Sequence, residues 1–185
     1  MIKSALALLF SAGCLYAAES QVQFDAAATK IDYTLGTTFH TVHGTFRLKS
    51  GSVRFDPAGG KASGLLSADA ASGESGDQAR DNRMHKDILQ SAKYPDITFS
   101  PDSIDGAVKL NGDSQVHVHG TFGIHGGQHQ VTVPAQVHIA NGEVSLNTSF
   151  EIRYVDWGIK NPSTLIFRVN KTVKIDIQAA GKLAD

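Results

Sequence analysis

The chain has 185 residues with 17 basic and 18 acidic side chains, so its formal net charge at pH 7 is −1. Because no stretch concentrates lysine or arginine, the sequence offers no basic surface for nucleic acid. The length suits one domain plus a targeting segment, and a hydrophobic content of 41% is enough for a real core.

Residues 1–18 have the form of a secretory signal peptide. A lysine precedes a short apolar run and then small residues, and the run is too short to span a bilayer. Cleavage after Ala17 or Ala18 would release a soluble protein. In the alternative, a lipoprotein box ending at Cys14, that cysteine becomes a lipid anchor. We predict an exported protein with one domain over residues 19–185 and no membrane span, and both ways of processing stay open.

Apolar and polar residues alternate along most of the remaining chain. Alternation with a period of two predicts antiparallel strands with one buried face. The alternating runs are residues 31–35, 42–48, 53–55, 97–99, 116–118, 122–124, 131–139, 144–154 and 173–179. Eight or more strands in one sheet leave exposed edges unless the sheet closes, so the pattern predicts a barrel. Its interior is either filled by side chains or holds a ligand, since eight-stranded barrels include both kinds.

One segment breaks the β pattern. After a polar loop over residues 72–79, the sequence predicts a helix over roughly residues 80–90, capped by Asp77 or Asp81 and followed by Pro95. Its apolar face is expected to lie against the barrel and consists of Met84, Ile88 and Leu89. The predicted class is therefore all-β with one short α-helix.

Eight histidines raise the question of a metal site. His117 and His119 lie two apart on a predicted strand, so their rings share a face and are able to share a metal. Because Val116 and Val118 take the buried face, both rings point away from the barrel interior. Solvated histidines are the simpler interpretation, and a histidine-based metalloenzyme stays an alternative.

No nucleophile motif stands out. Cys14 leaves with the signal peptide or is lipidated, and no serine lies in a Gly-x-Ser-x-Gly motif. The carboxylates show no spacing that would require them to meet. The sequence therefore predicts a protein that is not an enzyme, with no catalytic residues, no cofactor and no metal.

Two features are compatible with either a structural role or a role in ligand binding. Trp157, the only tryptophan, follows a predicted strand in an Asp-Trp-Gly turn, where its ring either plugs one barrel end or contacts a ligand at the mouth. Arg80 and Arg83, at the start of the helix, are either partners for an anionic headgroup or members of surface ion pairs.

Five motifs in register resemble the YceI-like family. They are Val42-x-Gly44-x-Phe46, Arg80-Asp81 with the helix and Tyr94-Pro95-x-Ile97-x-Phe99, the run from Gly120 to Gly126, the run from Arg153 to Ile159, and the closing strand over residues 171–179. Their order and spacing agree from about residue 22 to the C-terminus. The resemblance implies a closed or nearly closed lipocalin-like barrel of eight antiparallel strands with a helix beside it, in a periplasmic protein. It also implies binding of a polyisoprenoid, such as an isoprenoid quinone, or another long-chain lipid, without catalytic residues.

This resemblance directs the choice of binding residues. We expect the lipid tail to contact the inward side chains of Ile31, Tyr33, Val42, Phe46, Phe99, Phe122, Phe150 and Ile152. We expect the polar head to lie at the mouth beside Arg80, Arg83, His85 and Trp157. A stress-related structural or interaction barrel without a lipid stays an alternative, and association into a homodimer is left open.

Overall fold

The computed structural model describes residues 19–184. The predicted signal peptide over residues 1–18, including Cys14, lies outside the described residues. Within residues 19–184, no helix has the length and apolar character needed to cross a membrane.

Nine strands form one antiparallel sheet. They are β1 (Ser20–Phe24), β2 (Lys30–Gly36), β3 (Thr41–Phe55), β4 (Gly60–Glu74), β5 (Asp96–Asp105), β6 (Gly112–Ile124), β7 (Gly127–Ala140), β8 (Glu143–Ile152) and β9 (Val173–Ala184). The helical elements are α1 (Gln78–Arg83), a π-helix that continues it (Met84–Leu89) and a 3₁₀ helix (Tyr154–Trp157).

The sheet closes on itself because β3 pairs with β4, and β1 and β2 share one position between β3 and β9. Val22 of β1 pairs with Val53 on one side and with Leu183 on the other. Farther along the barrel, Tyr33 of β2 pairs with Gly44 and with Ile175. The nine strands therefore occupy eight positions around a closed barrel. The predicted eight-stranded, lipocalin-like antiparallel barrel with one short helix is confirmed.

β4 is a strand that the alternation did not predict. Its sequence, GKASGLLSADAASGE, is rich in alanine, serine and glycine, which are not strong strand formers. Pairing with β3 on one side and β5 on the other holds it in the sheet. The backbone N–H of Arg47 also donates to Ser72 Oγ at 2.8 Å. The predicted loop over residues 72–79 is correspondingly shorter, since β4 continues to Glu74.

The helix follows β4 at one end of the barrel. Asp77 caps α1 by accepting a hydrogen bond from the backbone N–H of Arg80 at 2.8 Å. Gln90 ends the π-helix in a left-handed conformation with φ of 49°. The chain then returns to the sheet through Tyr94, whose ring packs on His125 of the β6–β7 turn with centroids 4.9 Å apart. Two of the sequence motifs, Tyr-Pro and His-Gly, therefore meet in space.

The barrel core divides into two apolar layers. The layer far from the helix is centred on Ile139, which is fully buried, and includes Val116 and Val144. The layer next to the helix contains Phe122 and Leu89. We call the end that carries the helix the mouth end, because the cavity described below opens there. The opposite end, where the cavity is sealed, is the closed end.

The barrel wall is incompletely paired between β7 and β8. β7 pairs with β6 along its whole length, whereas its ladder with β8 covers only Gln136 to Ala140. Pro134, which has no N–H to donate, lies in the part of β7 without a β8 partner among the described residues. Near the mouth end of this gap, Trp157 stacks on His129 of β7 with ring centroids 4.2 Å apart and planes 4° from parallel.

Candidate functional site

The barrel encloses a cavity of about 660 Å³ that is lined mainly by apolar side chains. At the closed end the lining residues are buried and include Val22, Phe55, Val108 and Ile139. At the mouth end the lining includes exposed side chains such as Arg83. The cavity is therefore open beside the helix and sealed at the far end.

All eight residues predicted to contact a tail line this cavity. They are Ile31, Tyr33, Val42, Phe46, Phe99, Phe122, Phe150 and Ile152. They come from β2, β3, β5, β6 and β8, and the closed sheet brings them together because each points to the inner face of its strand. Whether they contact a ligand stays a prediction.

Aromatic rings form part of the wall near the mouth. The rings of Tyr33 and Phe46 lie 5.5 Å apart, and those of Phe122 and Phe150 meet edge to face at 6.3 Å. The Tyr33 hydroxyl donates to Met84 Sδ at 3.7 Å, so the tyrosine links β2 to the π-helix. Burial, and secondarily the negative charge of Asp81, raises the pKa of the Tyr33 hydroxyl above its ordinary value.

The helix forms one wall of the mouth. Met84, Ile88 and Leu89 line the cavity, as the sequence predicted for its apolar face. The helix packs closely on β4, because a Cβ at Gly73 would lie 2.5 Å from the Phe46 ring and 2.8 Å from Met84. A side chain at that position would therefore force the Phe46 ring and the Met84 side chain to move.

Two cations stand at the mouth. Arg80 is half-buried, and its guanidinium donates to Ser75 Oγ at 2.7 Å and to the Ser75 carbonyl oxygen at 3.0 Å. Ser75 in turn donates through its hydroxyl and its backbone N–H to Asp81. Arg83 is exposed and donates to the carbonyl oxygen of Pro162 at 3.2 Å. Both arginines line the cavity, and the network holds Arg80 in place there.

The other two predicted headgroup residues do not line the cavity. His85 hydrogen-bonds the Gly73 carbonyl oxygen at 2.8 Å and Ser91 Oγ at 3.3 Å, which ties the π-helix to β4. Trp157 is half-buried, contacts His129 and Phe122, and packs against the apolar layer next to the helix. Neither side chain is part of the cavity lining. The structure thus places Arg80 and Arg83 in the cavity lining. His85 and Trp157 instead contact residues next to the lining.

Several lining residues were missed because they lie in connections rather than strands. The β2–β3 connection contributes Thr37 and His40, and the long connection before β9 contributes Pro162 and Phe167. The apolar run Leu-Ile-Phe inside that second connection was a signal in the sequence. The sequence does not show where this connection lies, so the run could not be assigned to the cavity from the sequence.

One polar side chain of the lining has no visible partner. Among the described residues, Thr148 Oγ1 is buried and makes no hydrogen bond. Thr148 lies on β8 at the edge of the unpaired region and faces a lining that is otherwise mainly apolar. A buried hydroxyl without a hydrogen-bond partner lowers the free energy of unfolding.

The histidines do not converge. In the part of the chain that the structure describes, no three His, Cys, Asp or Glu side chains lie close enough to hold a metal ion. His119 instead hydrogen-bonds Asp105 at 2.8 Å, and His138 hydrogen-bonds Asp113 at 2.7 Å, on the outer surface.

A family model described as a YceI-like domain matches residues 16–180 of the chain. No curated protein matches the sequence significantly. The match covers both the barrel and the helix, including every residue of the mouth described above.

Solved structures of similar fold include proteins from three organisms. BcnA of Burkholderia cenocepacia is 23% identical, with a TM-score of 0.70 over 85% of this chain and 98% of its own. A polyisoprenoid binding domain from Saccharophagus degradans, implicated in plant cell wall breakdown, is 19% identical, with a TM-score of 0.67 over 88% of this chain and 98% of its own. The YCEI protein of Campylobacter jejuni is 22% identical, with a TM-score of 0.59 over 78% of this chain and 88% of its own. At these identities the similarity establishes the fold.

Proposed function

The chain belongs to the YceI-like family, and we propose that it is a non-catalytic periplasmic protein that binds a polyisoprenoid or similar long amphiphilic lipid. An isoprenoid quinone is one such ligand. The protein carries or sequesters the lipid inside the barrel. The observation that supports this proposal is a closed barrel around an apolar cavity of about 660 Å³.

The shape of the cavity favours a linear ligand. A ten-residue strand such as β5 or β8 is about 33 Å long, and a tilt of about 40° leaves roughly 25 Å along the barrel axis. Spread over that length, 660 Å³ corresponds to a mean cross-section on the order of 25 Å². One extended hydrocarbon chain fits this mean cross-section.

The chemistry of the wall favours an apolar tail. Each 100 Å² of tail surface removed from water contributes about 2.5 kcal/mol, and the loss of translational and conformational freedom offsets part of it. A tail of several isoprene units therefore supplies enough burial for tight binding. The Saccharophagus degradans domain, described as polyisoprenoid binding, has the same fold and agrees with this choice.

The arrangement of the mouth favours a polar head at one end of the tail. Arg80 and Arg83 line the cavity where it opens, and the closed end is formed by buried apolar side chains. An amphiphile therefore enters tail first and leaves its head beside two guanidinium groups. Arginine forks suit phosphate and carboxylate oxygens and also donate to carbonyl oxygens.

Native mass spectrometry of protein purified from its own periplasm tests the proposal, together with solvent extraction of any bound lipid. We expect a co-purified long-chain lipid, and uptake of an added prenyl quinone by the delipidated protein. Recovery of no lipid combined with no uptake of prenyl quinone would show that the proposal is wrong.

A pair of neighbouring variants locates the ligand. Ala135 of β7 is buried and faces the cavity, whereas Gln136 next to it is exposed on the outside. We expect Ala135→Phe to reduce quinone uptake because the ring fills part of the cavity, and Gln136→Phe to leave uptake unchanged. Equal uptake by both variants would mean that the lipid binds elsewhere.

A further inference from the structure

An apolar turn projects from the mouth end of the barrel. Residues 164–167 form this turn, in which the Thr164 N–H donates to the Phe167 carbonyl oxygen at 2.7 Å and the Phe167 N–H donates to Thr164 Oγ1 at 3.1 Å. Its tip consists of Leu165, 92% exposed, and Ile166, 80% exposed. Exposed turn tips usually carry Gly, Pro, Asn, Asp or Ser. Two large aliphatic side chains there remain in contact with water and contribute no burial free energy to folding.

A second apolar side chain stands beside this turn. Phe39, 70% exposed, lies in the β2–β3 connection, and its ring centroid is 6.2 Å from that of Phe167. The two connections are tied together, because the Thr38 N–H donates to the Arg168 carbonyl oxygen and the Arg168 N–H donates to Thr38 Oγ1, both at 2.9 Å. We call Phe39, Leu165, Ile166 and Phe167 the mouth patch.

The mouth patch is continuous with the cavity. Phe167 is half-buried and lines the cavity while it contacts the exposed Phe39. An apolar path therefore leads from the barrel interior to solvent. Exposed apolar clusters of this kind mark protein or membrane contact sites.

The charges around the mouth patch favour a membrane over a protein partner. The two connections, residues 37–40 and 158–172, contain Lys160, Arg168 and Lys171 and no aspartate or glutamate. All three cations are exposed, and the ion pairs formed among residues 19–184 involve none of them. Apolar tips surrounded by basic side chains match a bilayer surface with anionic headgroups.

We propose that the mouth patch docks the barrel on a bilayer that contains anionic phospholipid. Phe39, Leu165 and Ile166 insert at the boundary between headgroups and acyl chains, and the three cations contact the headgroups. In this orientation the mouth faces the bilayer, so an apolar tail passes between membrane and cavity with little contact with water. This inference goes beyond lipid binding itself, and the two are measured separately below.

Co-sedimentation with vesicles tests the apolar part of the patch. The probe is delipidated protein with vesicles of phosphatidylcholine plus 30% phosphatidylglycerol, in about 50 mM salt. We expect Leu165→Ser combined with Ile166→Ser to lower the partition coefficient at least tenfold, because two aliphatic side chains no longer insert. The control is Leu110→Ser, which changes a leucine that is 46% exposed in the β5–β6 connection at the closed end. We expect the control to bind vesicles as the wild type does.

The charged part has its own test. We expect Arg168→Gln combined with Lys171→Gln to weaken binding to the same vesicles by roughly fivefold for each charge removed. Binding of the wild type should also fall with added salt and be weak on vesicles of phosphatidylcholine alone. Binding that is the same on both kinds of vesicle would overturn the proposed role of the charges.

Two further results would overturn the proposal. In the first, the wild type fails to bind anionic vesicles although it takes up prenyl quinone delivered from detergent, which would leave lipid binding intact and exclude docking. In the second, light scattering shows a dimer that the Leu165/Ile166 double variant abolishes, which would assign the patch to a second copy of the chain. Failure of quinone uptake with intact vesicle binding would instead count against the proposed ligand.

Discussion

Ile139→Ala probes the seal at the closed end of the barrel. Ile139 is fully buried and packs in the apolar layer with Val116 and Val144. Removing three carbons loses about 2.4 kcal/mol of transfer free energy, at roughly 0.8 kcal/mol per methylene group, and the space left behind adds about 1 kcal/mol. We therefore expect the free energy of unfolding to fall by about 3.5 kcal/mol. In a domain of this size the midpoint temperature should fall by roughly 10 °C.

The measurement is urea unfolding followed by circular dichroism on delipidated protein, because a bound lipid would itself stabilise the folded state. Ile166→Ala is the matched control, since it is the same substitution at a side chain that is 80% exposed. The control should change stability by less than about 0.5 kcal/mol. A loss below about 1 kcal/mol for Ile139→Ala, or similar losses for both variants, would refute the assignment of Ile139 to a tightly packed seal.

Three further predictions concern the cavity and its mouth. Thr148→Val should raise the free energy of unfolding by about 1 kcal/mol, because it removes a buried hydroxyl without a partner; a decrease in urea unfolding would mean that this hydroxyl is satisfied. Arg80→Gln and Arg83→Gln should each weaken binding of a prenyl diphosphate by about tenfold, from the loss of a charge-assisted contact, in a fluorescence competition assay. Arg54→Gln, an exposed arginine of β3 outside the cavity lining, is their control and should bind as the wild type does. The Tyr33 hydroxyl should titrate above the usual tyrosine range in an ultraviolet titration, because its pKa is raised. Since the unfolded chain releases this proton first, stability should fall as pH rises past about 10, and Tyr33→Phe should reduce that fall.

The helix shows how far local sequence information reaches. Its approximate position and its apolar face of Met84, Ile88 and Leu89 followed from spacing and residue type, and the structure agrees. Of the two predicted caps, Asp77 and Asp81, the structure selects Asp77. The π-helical geometry over Met84–Leu89 did not follow from them. Spacing and residue type distinguish a helix from a strand, but they do not distinguish i→i+4 from i→i+5 hydrogen bonding over six residues.

The four predicted headgroup residues show the corresponding limit for a site. Arg80, Arg83, His85 and Trp157 all lie in or near the predicted mouth, yet only the two arginines line the cavity. His85 turns toward the Gly73 carbonyl oxygen, and Trp157 stacks on His129. A position along the chain indicates which end of the barrel a residue belongs to. It does not indicate whether its side chain reaches the cavity.

Local patterns in the sequence were enough to predict the all-β class, the inward faces of most strands and the place of the helix. A period of two or of 3.6 residues is a local property, and burial of one face follows from it directly. The tertiary structure was needed to show that β4 is a strand, that β1 and β2 share one position, and that the barrel is sealed near Ile139. Each of these depends on pairing between residues far apart in the chain. The Leu-Ile-Phe run also depends on such distant contacts. It becomes part of the mouth patch because hydrogen bonds between the two connections place it next to Phe39.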